Sequence, residues 1–145
     1  MLLEHIKAEE KEQEVIKALL EKTDIAIPKI LIDEEVNSRL SKLLERIEKL
    51  GLNLDSYLAS VGKTPDSLRA EYELQARNSI SLDFTLTKIA TEQKIEISDK
   101  ETDAAIEAAG TDSKIKERLN TPEQRRVIKG VLARRAGLDS LCALI

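Results

Sequence analysis

Apolar residues recur every three or four positions through "KILIDEEVNSRLSKLLERIEKL", where Val36, Leu40, Leu43, Leu44, Ile47 and Leu50 fall on one side. That period predicts an amphipathic helix. Pro28 disfavours helix at Ile27 and can itself open this helix, and Gly51 ends it. The preceding segment, "LEHIKAEEKEQEVIKALLEKTD", reads as a charged helix whose first half is nearly bare of apolar positions, with only Ala8 between Lys7 and Glu14. Such a stretch is expected in solvent or spanning between parts of a larger protein. Asn53 caps a short helix holding Leu54, Tyr57 and Leu58, which ends at Gly62. A long helix follows from Pro65 to about Gln93, reaching roughly 40 Å at the usual rise per residue. A compact chain of this size is about as wide as that helix is long, so an elongated molecule is expected.

The second half of the long helix, "NSISLDFTLTKIAT", carries two apolar stripes. Leu82, Leu86 and Ile89 form one; Ile80 and Phe84 lie nearly opposite. A helix apolar on two sides is either sandwiched or exposes one of them. Beyond it, Ser98 and Glu101 spell a capping box, and Thr121, Pro122 and Gln124 repeat the cap-and-proline pattern before a last helix. That helix holds Val127, Ile128, Val131, Leu132, Leu138 and Leu141, with Gly137 expected to bend or weaken it. Seven helices and no strand are expected.

Composition agrees with that pattern. Among 145 residues, 34% are charged and 2% aromatic, with no Trp, a balance that favours helix over sheet. The net charge of −4 argues against a dedicated nucleic-acid binder. The basic run "RRVIKGVLARR", with Arg125, Arg126, Lys129, Arg134 and Arg135, reads first as a solvated or salt-bridged face and second as a surface for an anionic partner. One cysteine, Cys142, excludes an internal disulfide. No apolar run is long enough to cross a bilayer, and no signal-peptide pattern opens the chain, so no membrane partner and a cytoplasmic location are expected.

Site chemistry is sparse. "SVGKTPDS" contains Gly-Lys-Thr, but a phosphate loop needs a second glycine where Tyr57 stands and a strand leading in. The triplet reads better as a corner, with Gly62 ending one helix, Thr64 capping the next and Pro65 at its first position. His5 is the only histidine, so a Ser-His-Asp arrangement or a zinc site would lack partners. The Glu-x-x-His pairs of a di-iron bundle are missing. No catalytic residue, cofactor or metal is expected.

The ordered series is more specific than any of its parts. Ile27-Pro28 opens a helix, and Gly51-Leu52, Tyr57-Leu58 and Gly62-Lys63-Thr64 follow. Then come Leu68, Ala76-Arg77, the apolar Leu82 to Ile89 helix, and Ile95-x-Ile97-Ser98. This series resembles the C-terminal domain of trigger factor, the bacterial ribosome-associated chaperone, most strongly from Ile27 to Glu101.

The resemblance implies an all-α, elongated domain of the trigger factor C-terminal or SurA-like kind, with long helical hairpins projecting as two arms. Residues 1–26 would form the body or linker helix, 27–97 the first arm, and 98–145 the second arm and return helix. It implies an ATP-independent chaperone domain that binds non-native or nascent polypeptide in a helical cradle. Under that reading the candidate polypeptide-binding residues are Leu54, Tyr57, Val61, Ile80 and Phe84. A helical interaction or dimerisation module without chaperone activity is the alternative, and a homodimer through the Val36 to Leu50 stripe is its natural form.

The family's ribosome-docking Gly-Phe-Arg-x-Gly-Lys loop is absent, so ribosome contact would run through another domain. The prolyl isomerase activity of the full-length family likewise belongs to a separate domain, and the chain is expected to be a fragment, with a stand-alone homologue as the alternative. Two departures bear on packing. Gln93-Lys94 stands where the family has a glycine before "IEI", and Thr102 stands where an apolar residue is commoner.

Overall fold

A computed structural model describes residues 1–145. It contains seven α-helices and no strand: α1 (Leu2–Lys22), α2 (Lys29–Lys49), α3 (Leu54–Val61), α4 (Pro65–Glu92), α5 (Asp99–Ala108), α6 (Ser113–Leu119) and α7 (Pro122–Ala143). The helix ends follow the sequence punctuation closely. Asn53 Oδ1 accepts from Ser56 N–H at 2.8 Å, and Thr121 Oγ1 accepts from Gln124 N–H at 3.3 Å. Ser98 and Glu101 form the reciprocal box, each side chain accepting from the other's backbone N–H. Pro28 differs from expectation. It is the N-cap, not the first helical residue, with ψ 132, and α2 starts at Lys29.

The Gly-Lys-Thr triplet is a corner. Gly62 adopts φ 66 as the left-handed residue after α3. Thr64 Oγ1 accepts from Ser67 N–H at 3.1 Å while Ser67 Oγ accepts from Thr64 N–H at 2.9 Å, a second reciprocal box around Pro65. Lys63 reaches Glu71 through its ammonium at 2.5 Å, so it is engaged in an ion pair.

Three helices end in the same hydrogen-bond motif, in which the residue after the left-handed one bonds five residues back. Leu52 N–H reaches Ile47 O at 2.9 Å after α2, Lys63 N–H reaches Leu58 O at 3.0 Å after α3, and Ile95 N–H reaches Ala90 O at 2.9 Å after α4. Gly51 (φ 73) and Gly62 take the left-handed place in the first two. In the third it is Lys94, at φ 54, the one non-glycine residue of the chain with positive φ. The glycine missing from "QK" is therefore replaced by a lysine that holds the turn at a backbone cost.

The chain divides into two compact units. One is continuous, Lys22–Leu82. Here α2 and the first part of α4 form an antiparallel hairpin, with α3 filling the turn. Ile32, Val36 and Ala76 are buried together with Ile27, Leu40, Tyr72 and Ile80 around them. Nearer the turn, Leu43, Ile47, Leu58 and Leu68 form a second cluster flanked by Leu40, Leu54, Tyr57 and Tyr72. Val36 and Ala76 are fully buried, and so small a facing residue lets the helices approach closely. Arg39 donates to Glu35 at 2.9 Å and to Gln75 at 3.2 Å, linking α2 to α4 along the rim.

The other unit is assembled from two segments, Met1–Glu21 and Asp83–Ile145. Its buried residues include Val15, Leu86, Ala90, Ile106 and Leu138. Gly137 sets a close helix crossing rather than a bend. A Cβ built there would lie 3.4 Å from Leu86 O and 3.6 Å from Ile89 Cγ2. Thr102 is fully buried, yet its hydroxyl donates to Ser98 O at 3.0 Å, and that bond removes the penalty of burying a polar group.

Candidate functional site

The five candidate polypeptide-binding residues fall into two groups. Leu54 and Tyr57 are half-buried on α3, packed against the Leu43–Leu58 cluster, and Ile80 is half-buried against Ile32, Val36 and Ala76. Much of their apolar surface is therefore used by the hairpin itself. Val61 and Phe84 are different: 42% and 43% of their surfaces are exposed. The two stripes of α4 thus part company. Leu86 is 5% exposed and Leu82 and Ile89 are half-buried, whereas Phe84 stays open to solvent.

Sequence reasoning missed other uncovered side chains. Leu44 and Leu50 share the three-to-four period of α2 yet are 45% and 69% exposed. One neighbouring helix covers a narrow seam, here Val36, Leu40, Leu43 and Ile47, and residues a turn to the side stay wet. Leu74 and Ile30 in the same unit, and Val127 and Val131 on α7, are also largely exposed. Their signal was their position off the buried seam, which needs the partner helix to read.

Electrostatics accounts for most of the basic run. Arg125 donates to Asp103 at 2.7 Å and to Asn120 at 2.7 Å, and Lys129 donates to Asp99 at 2.7 Å, joining α7 to α5. Arg134 lies 3.7 Å from Asp83. Arg135 binds Glu12 with two hydrogen bonds of 2.9 Å, tying α7 to α1. The charged first half of α1 is thus anchored at one point. The Lys129 ammonium holds the Asp99 carboxyl below its ordinary range, and the Ser98 backbone N–H does the same for Glu101. Glu12 raises the Arg135 guanidinium further. The run is a salt-bridged face, apart from Arg126.

No group of three or more His, Cys, Asp or Glu side chains is placed to hold a metal ion. No helix is long and apolar enough to cross a membrane.

Capped, ion-pair-laced helices with aliphatic and aromatic side chains left uncovered define an all-α domain built around helical hairpins. The family follows from comparison. The model of the bacterial trigger factor protein (TF) C-terminus matches residues 2–142, and the chain belongs to that family. The matched region is the part of trigger factor outside its prolyl isomerase domain. Similar relatives include a trigger factor from Shouchella clausii, 28% identical over 96% of this chain and 31% of the relative. A trigger factor from Staphylococcus epidermidis is 34% identical over 68% of this chain and 22% of the relative. One from Exiguobacterium sibiricum is 25% identical over 88% and 28%. The chain thus spans less than a third of the length of these curated relatives. No solved structure matches it significantly.

Proposed function

We propose that this domain binds non-native or nascent polypeptide without ATP, as part of a chaperone, with residues 27–97 and 98–145 acting as its two arms. The observation that carries this reading is the uncovered aromatic side chain of Phe84, on a helix whose Leu86 side is buried, in a chain of the trigger factor family. A partly open apolar ring offers an apolar segment of a client a contact that needs no fixed partner geometry. In the Lys22–Leu82 unit, Val61 on α3 supplies a separate open aliphatic contact, and Leu54, Tyr57 and Ile80 keep part of their apolar surface free. Contacts of this kind suit a chain with no fixed sequence, since apolar burial is non-directional.

The test is suppression of aggregation of a chemically unfolded client by near-stoichiometric amounts of the chain in the absence of nucleotide. Phe84→Ala should weaken binding of a fluorescent unfolded client while leaving the helical signal intact. Unchanged aggregation with excess chain would sink the proposal. Retained client affinity in Phe84→Ala would move the site elsewhere.

A further inference from the structure

The unit formed by Met1–Glu21 and Asp83–Ile145 holds its first helix by little. Every residue from Met1 to Glu10 is exposed, and along the whole of α1 only Val15 is buried. Ile16, Leu19 and Leu20 are half-buried beside it. Elsewhere in the unit α5, α6 and α7 pack pairwise with their backbones close together, and α1 joins no such pair. Its ionic tie to α7 is the fork in which Arg135 donates to both carboxylate oxygens of Glu12, each at 2.9 Å.

That fork can open without stranding a charge. Removing one partner of a buried ion pair leaves the other uncompensated, and the penalty keeps such pairs shut. Here the Arg135 side chain is 54% exposed, and its Nε already lies 3.2 Å from Asp139 on the next turn of α7. The guanidinium therefore keeps a carboxylate when Glu12 leaves. Glu12 sits on the helix that moves and goes out into water with it. The pairs His5–Glu9 and Lys17–Glu21 lie within α1, so they need nothing from the rest of the unit. An element with one buried apolar side chain and a solvent-reachable ion pair belongs to the low end of local stabilities.

We propose that α1 is a strap latched by the Glu12–Arg135 fork, which comes away from the Asp83–Ile145 segment while that segment stays folded. Release bares Val15 and Ile16 together with Leu20, an aliphatic row that the latched state keeps wholly or partly covered. Salt shifts the balance toward release, because screening weakens an exposed pair.

Thiol trapping in the full 145-residue chain tests this. Cys142 is the only cysteine, so Cys142→Ala gives a background without thiols. Val15→Cys or Leu138→Cys then places one thiol at a buried position of α1 or of α7. Labelling of each by a maleimide is compared with the globally unfolded fraction of the same variant, obtained by urea titration. The thiol in α1 should label roughly tenfold or more faster than that fraction allows, and the thiol in α7 only as fast as it allows. Adding Glu12→Gln should speed the α1 site roughly twofold to fivefold at low salt, the range for an exposed pair, and leave the α7 site at its global rate. Rising salt should bring the parent up to the Glu12→Gln rate and close the gap. Labelling in α1 no faster than global unfolding permits overturns the proposal. So does equal speeding of both sites by Glu12→Gln, which would make the fork an ordinary contributor to overall stability. A rate in α1 that ignores both Glu12→Gln and salt overturns it as well, since the helix would then open without a latch.

Discussion

Lys94→Gly should stabilise the protein. Lys94 sits at φ 54 in a cap whose two hydrogen bonds, Lys94 N–H to Thr91 O at 3.1 Å and Ile95 N–H to Ala90 O at 2.9 Å, are already well formed. The left-handed conformation costs a residue with a Cβ about 1–2 kcal/mol, and glycine avoids it. Against this, glycine's greater freedom in the unfolded chain returns about 0.5–1 kcal/mol. The net gain is about 0.5–1 kcal/mol, or a rise of roughly 1–4 °C in melting temperature for a chain of this length. The Lys94 side chain is exposed and makes no ion pair, so little is lost with it. The same molecule holds the reverse experiment. Gly51 and Gly62 occupy the equivalent place after α2 and α3, and a Cβ at either would meet nothing within 4 Å. Gly51→Ala should therefore cost about 1 kcal/mol by backbone conformation alone. Urea midpoints at unchanged slope measure both. A neutral or destabilising Lys94→Gly alongside a harmless Gly51→Ala would refute the reasoning, because both effects rest on the same left-handed residue.

Leu86→Ala should cost about 2–5 kcal/mol, the range for a buried leucine, and Phe84→Ala less than about 1.5 kcal/mol, read from urea midpoints; equal large losses would make Phe84 a core residue. Asp99→Asn tests the α5–α7 link through pH. The folded carboxyl is held below its ordinary value, so its contribution is present above the ordinary carboxylate range and is lost as pH falls through the depressed value. The variant should melt earlier than the parent at neutral pH, and the gap should close on acidification; a gap independent of pH would contradict this. Gly137→Leu should destabilise by about 1–3 kcal/mol or more, since its side chain would enter the space held by Leu86 O and Ile89, whereas a merely flexible glycine would tolerate it in a thermal melt.

Most of the fold was legible because it is written in local signals. Caps at Asn53, Ser98 and Thr121 and stops at Gly51 and Gly62 depend on neighbours within a few residues, so sequence alone places them. What sequence could not show depends on the partner helix. Leu44 and Leu50 share a period with Val36 and Leu43, yet only the seam facing α4 is covered. Gly137 looked like a weak point and is a close crossing, a difference that only Leu86 and Ile89 reveal. Thr102 looked out of place in a core, and its hydroxyl bond one turn back makes it fit. For the candidate surface, period separated Phe84 from Leu86 correctly. It could not show that Ile80, one turn before Phe84, is largely taken up by Ile32 and Val36.

The order of segments along the chain has a consequence for how the protein is made. The unit Lys22–Leu82 is contiguous, so all its partners have been synthesised once α4 is under way. The other unit must bring Glu12 to Arg135, 123 residues later. Synthesised before the hairpin, α1 must wait for α7 before Glu12 finds Arg135. The early hairpin shortens that wait in another sense. Once folded, its sixty-odd residues no longer count as loose loop, and the entropy of joining the two outer segments falls accordingly. The inserted hairpin thus acts as a splint for the domain that encloses it in sequence. A variant that melts only the hairpin, such as one cutting into Val36 or Ala76, would slow the closing of the outer unit without touching any residue in it.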